Sequence, residues 1–101
     1  MAKLSVVYWR DIPAQVIAKQ GRKTAKQVLP ERFAEAIDMA AMRSKLAGTD
    51  AYLEQWQRRD EECSGDLQQM VEQRLQQLEQ EYDSERLQLL IRQGGLDQAS
   101  S

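Results

Sequence analysis

The spacing of apolar residues changes near position 30, from alternation to a helical period. Residues 4–10 read LSVVYWR, dense in β-branched and aromatic side chains, which predicts a strand over Leu4–Arg10. Alternation points Leu4, Val6 and Tyr8 one way and Val7 and Trp9 the other. Both faces are partly apolar, as expected of a strand covered on both sides or paired centrally. Asp11-Ile12-Pro13 should break it, because proline fixes φ and has no N–H for a ladder. Ala14–Lys19, with Val16 and Ile17, predicts a second strand. Gln20-Gly21-Arg22 follows as a turn, in which Gly21 can take a positive φ without steric cost. Thr24–Leu29 predicts a third strand, and Lys23, Lys26 and Gln27 suit a sheet edge.

Pro30 opens a helix, and Glu31 favours the positive end of its dipole. Phe33, Ile37, Ala40 and Ala41 form its apolar stripe, widened by Met39, Met42 and Leu46. Gly48 should stop the helix near Ala47. Thr49–Asp60 fits two patterns. Tyr52, Leu53 and Trp56 suit a helix capped by Thr49 or Asp50, whereas Tyr52, Glu54 and Trp56 alternate as a strand does. A hairpin sheet gains from another partner, so a strand is the expectation. Asp60–Gly65 reads as a loop, and Asp66 caps a long helix, Leu67–Tyr82. Leu67, Met70, Val71, Leu75, Leu78 and Tyr82 lie on one side of it. Asp83 or Ser84 caps a further helix, Glu85–Gln93, ended by Gly94-Gly95.

The predicted architecture is α+β: a small N-terminal antiparallel hairpin sheet of three strands, or four, covered by two main helices. Its expected core includes Leu4, Val6, Val16, Ile17, Phe33, Ile37, Leu75 and Leu78. At 101 residues the chain is one domain, drawn here as 1–95 with a short flexible tail at 96–101. An apolar fraction of 42% and a charged fraction of 30% describe a folded domain with a very wet surface. No apolar run reaches membrane-span length, and no signal peptide is recognisable, so a cytoplasmic location is expected.

The net charge of −2 conceals an asymmetry. Residues 1–30 carry six cations (Lys3, Arg10, Lys19, Arg22, Lys23, Lys26) against Asp11, a balance of +5. Residues 31–101 carry eight cations against fifteen acids, a balance of −7. The halves either neutralise each other or offer opposite charge to partners.

Catalytic chemistry finds little footing. Histidine is absent, which removes the commonest general base, the commonest metal ligand and every Ser–His or Cys–His nucleophile pair. Cys63 is the one cysteine, so it cannot form an internal disulfide or build a zinc site. Glu61 with Glu62, and Glu79 with Asp83, are carboxylate pairs that no apolar sequence context would set apart for acid–base work. Asp60, Glu61, Glu62 and Asp66 match no calcium loop, and no glycine-rich phosphate motif is present. No enzyme activity, metal or cofactor is therefore expected.

The basic hairpin is the expected contact surface, with Arg10, Lys19, Arg22, Lys23 and Lys26 as its binding residues. A protein partner is the first expectation. Nucleic acid, RNA in particular, is the alternative, because cations near Tyr8 and Trp9 could pair phosphates with stacked bases. Against it, the chain has a pI of about 5.2, and the two aromatics point to opposite faces. The long helix offers only about two heptads, too few to argue a coiled coil.

Three runs, VVYWRDIPAQV, GRKTAKQVLPERFAEAIDMAAM and GTDAYLEQW, resemble in order and spacing a small bacterial family called virulence factor. The resemblance extends over Met1 to Gly95 and is most specific in YWRDIPAQV and in the GRK, LP and F positions that follow. The family occurs as stand-alone chains of this length. It also occurs as a module of larger proteins with HEAT-like repeats, called conserved virulence factor C. The resemblance implies no reaction and carries over no catalytic or binding residue. It implies an accessory place beside corrinoid-dependent one-carbon methyl-transfer proteins. The missing histidine argues that the chain is not itself the corrinoid carrier.

Overall fold

A computed structural model describes residues 2–96. Of the expected tail at 96–101, residues 97–101 lie outside the described residues. Strands β1 (Ala2–Trp9), β2 (Ile12–Gln20), β3 (Lys23–Val28) and β4 (Trp56–Cys63) form one antiparallel sheet in the order β3-β2-β1-β4. Helices α1 (Glu31–Arg43), α2 (Asp50–Glu54), α3 (Leu67–Glu81) and α4 (Ser84–Arg92) complete an α+β fold.

β1 is central, as its apolar content on both faces predicts. Helix α3 lies across β1, β2 and β3 and buries Val71, Leu75 and Leu78 against Leu4, Val6, Val16 and Ala18. Burying each large aliphatic side chain contributes about 1.5–3 kcal/mol, so this layer dominates the stability of the fold. Helix α1 packs against β2 and α4, joining the same core through Phe33, Ala36, Ile37 and Ala40. Phe33 and Tyr82 meet edge to face, their ring centroids 6.3 Å apart. Asp66 and Asp83 cap α3 and α4 as predicted, accepting from the Gln69 amide at 3.0 Å and the Arg86 amide at 2.9 Å.

Several expectations need correction. Thr49–Asp60 is neither a helix nor a strand throughout, because α2 occupies its first half and β4 begins at Trp56. The expected loop at Asp60–Gly65 gives its first four residues, 60–63, to β4. This strand is an edge with wet side chains on both faces, so it lacks the apolar alternation that marks a half-buried strand. The first strand ends at Trp9, just before the predicted break at Asp11-Ile12-Pro13, but β2 begins at Ile12, so Pro13 falls within a strand. It lies inside β2 opposite Tyr8, next to a register shift that a missing N–H tolerates.

Helix α1 stops at Arg43, short of Ala47. Ser44 turns its hydroxyl back to the Ala40 carbonyl at 2.8 Å, and Lys45 takes a left-handed φ of 62°. Met39 and Met42 are exposed, so the buried stripe of α1 is narrower than predicted. Among the expected core residues, Ile17 is only half-buried. It sits on the face of the sheet that α3 does not cover.

Candidate binding surface

Register fixes which side chains share the face away from α3. Lys3, Lys19 and Thr24 stand in one row with Glu62; Ser5, Ile17 and Lys26 stand in the next with Asp60. Val7, Gln15 and Val28 stand in a third with Arg58. Most of these residues are exposed or half-buried, and Ser5 alone is buried. Its small side chain donates from Oγ to Asp60 Oδ1 at 2.5 Å. That hydrogen bond holds the Asp60 carboxyl below its ordinary pKa against a partial desolvation, with help from Arg58 and Lys3.

The structure brings together four of the five predicted contact residues. Lys19, Arg22 and Lys23 cluster at the β2–β3 turn, and Lys26 continues along the free edge of β3. All four are exposed, and among the described residues none is within 4.0 Å of a carboxylate. The acids pair elsewhere. Asp60 meets Arg58 at 3.1 Å, Asp11 meets Arg59 at 3.3 Å, and Glu61 meets Arg74. Three acids are thus held by arginines of β4 and α3, while the ribbon's charge stays in water.

Arg10 does not belong with them. It occupies the β1–β2 turn, at the other end of β2, with a left-handed φ of 55°. Its guanidinium donates to the Gly94 carbonyl at 2.8 Å and to Gln55 Oε1 at 3.2 Å, and lies 5.2 Å from the centre of the Trp9 ring. This arginine ties the turn to α2 and to the end of α4. It fastens the fold and presents no free cation.

At that end the uncovered face meets α1 and α2 in a groove of about 600 Å³. Ala14, Gln15, Val28 and Leu29 line its sheet side, Glu31, Ala34, Ile37 and Asp38 its helix side, and Tyr52 and Trp56 also line it. Val28 is 64% exposed and Trp56 37% exposed, high for side chains of this size and polarity. The Tyr52 and Trp56 rings stand at 89° with centroids 6.2 Å apart. Behind them Trp9, fully buried, stacks on Tyr52 at 5.5 Å and donates from Nε1 to the Tyr52 carbonyl at 3.0 Å. Burial, with the charge of Asp38 second, raises the Tyr52 hydroxyl above its usual pKa. Sequence reasoning missed this groove. Its one legible trace was Glu31, Ala34 and Asp38, spaced to share a side of α1, a stripe too polar to read as a lining.

No group of three or more cysteines and carboxylates stands close enough to hold a metal ion among the described residues. No helix among them is long and apolar enough to cross a membrane.

Fold and surface together define a small α+β domain in which an antiparallel sheet is covered by helices on one face and largely bare on the other. Residues 7–91 match the family described as Virulence factor, and the chain belongs to that family. No curated protein and no solved structure matches it.

Proposed function

We propose that this chain is a non-catalytic binding module that captures an acidic surface of another protein on the ribbon formed by Lys19, Arg22, Lys23 and Lys26. One observation carries the reading: these four cations are exposed and lack ion pairs among the described residues, while Asp11, Asp60 and Glu61 are engaged by arginines of β4 and α3. Holding like charges together in water costs little there, and an acidic partner would gain from them in both encounter rate and register. The reading assigns the chain no reaction, since a sequence without histidine lacks the commonest general base and every His-activated nucleophile pair. An accessory place beside corrinoid-dependent methyl-transfer proteins rests on the family resemblance and on no residue of the ribbon.

The test compares the natural chain with an Arg22→Glu/Lys23→Glu protein as bait in the native cell, followed by reconstitution with the purified captured species. An acidic protein held by the natural chain and released by the double variant, at unchanged thermal midpoint, is the expected result. Captured RNA with a steep loss of affinity in salt would replace this reading with nucleic-acid binding. Equal capture by both baits would contradict it.

A further inference from the structure

The groove at the α1 end of the uncovered face has the opposite character to the ribbon. Its lining includes two carboxylates, Glu31 and Asp38, and no cation. Neither carboxylate has an ion pair among the described residues. They lie seven residues apart on α1, roughly 10 Å along the axis, with Ala34 between them. The sheet opposite supplies Ala14 and Val28, which are apolar. Tyr52 and Trp56 set two aromatic rings at right angles, an arrangement that attracts a cation to a ring face. Trp9 braces Tyr52 from behind, so the corner is formed before any ligand arrives.

We propose that this groove takes a segment of a partner protein in which an apolar side chain is flanked by basic ones. The apolar group sits against Ala14, Val28 and Ile37, and a lysine or arginine lies at the Tyr52–Trp56 corner beside Asp38. Charge selects this occupant over others. Phosphates and acidic peptides would face two unneutralised carboxylates at close range, where like charges repel. Residues 97–101, DQASS, bring an acid and no cation. A second copy offering its ribbon would bring lysines with no large apolar side chain between them. The proposal goes beyond the ribbon reading and stands on different residues.

The experiment titrates the isotope-labelled full chain with two synthetic peptides, acetyl-Ala-Lys-Leu-Lys-Ala-amide and acetyl-Ala-Glu-Leu-Glu-Ala-amide, and follows amide and indole resonances. The basic peptide is expected to shift the Trp56 indole and the amides of Glu31, Ala34 and Asp38, and the acidic peptide to leave them unmoved. Asp38→Lys changes an exposed residue without an ion pair, so the fold should persist while affinity for the basic peptide falls about tenfold or more. Trp56→Leu should weaken it by roughly two- to fivefold. The Arg22→Glu/Lys23→Glu protein, which tests the ribbon, is expected to bind the basic peptide undiminished, so the two readings fail separately. Absent shifts, equal shifts with both peptides, or undiminished binding by Asp38→Lys would overturn the inference.

Discussion

Under α3, strands β1 and β2 contribute Leu4, Val6, Val16 and Ala18, all buried. On the reverse of the same strands stand Lys3, Ser5, Val7, Gln15, Ile17 and Lys19, of which only Ser5 is buried; at one end of that face Trp9 is sealed beneath Tyr52 and Gly95. The difference comes from one-residue alternation, since neighbouring side chains on a strand point to opposite faces. It shows that a central strand can carry apolar residues on both faces without being covered along the whole of both. Pairing on both edges holds β1 in place, and α3 buries one of its faces. The other face is free to spend its charge and half-exposed aliphatic side chains on something else.

Substitutions on the two faces should separate sharply in urea denaturation. Leu4→Ala empties a filled site beneath α3 and should cost roughly 2–5 kcal/mol. Val28→Ala on the bare face should stay within about 0.5 kcal/mol of the natural chain. Equal losses would mean that the bare face is packed in solution. Next in size is the closed end of the sheet, where Gly95 holds a φ of 92° against Trp9. A Cβ there would lie 2.8 Å from Trp9 Cζ3, so Gly95→Ala should cost about 2 kcal/mol through backbone strain and overlap.

Within the cations predicted from the sequence, stability should divide them as the structure does. Arg10→Ala leaves the Gly94 carbonyl with only the longer bond from Ser44 Oγ at 3.3 Å and also frees Gln55 Oε1, and should cost about 1–2 kcal/mol. Lys23→Ala should change stability by less than about 0.5 kcal/mol. Thermal midpoints of the two variants check this directly.

The smallest effect concerns Asp60, whose folded pKa is depressed chiefly by the Ser5 hydroxyl. A depressed carboxyl contributes stability that is present above its unfolded pKa and is lost as pH falls through the folded value. Ser5→Ala should therefore flatten the acid limb of the stability profile below the ordinary value of 3.8 and leave its shape at neutral pH alone. An unchanged acid limb would assign the depression to Arg58 and Lys3 instead.

Much of the fold was legible because its signals are local. The alternation of β1, the glycine turn before β3 and the caps Asp66 and Asp83 are written within a few residues each. β4 was not, because WQRRDEEC is paired through its backbone to β1 while its side chains stay wet. Pro13 marked the end of β1 but misplaced the start of β2, because a proline is tolerated within a strand beside a register shift. The ribbon cations Lys19, Arg22, Lys23 and Lys26 were legible because they cluster along the chain. Arg10 lies within ten residues of Lys19 in sequence, yet its role depends on Gln55 and Gly94, far along the chain. Beyond the Glu31, Ala34 and Asp38 spacing the groove could not be read for the same reason, since it joins Ala14, Val28, Asp38 and Trp56 only after folding.

The central claim is that one face of this sheet is bare in solution, and side-chain methyl NMR with a soluble gadolinium chelate tests it most directly. The methyl resonances of Ile17 and Val28 should broaden steeply as the chelate is added, while those of Leu4 and Val16 stay sharp. Ile17 and Val28 protected to the same degree as Val16 would contradict the account.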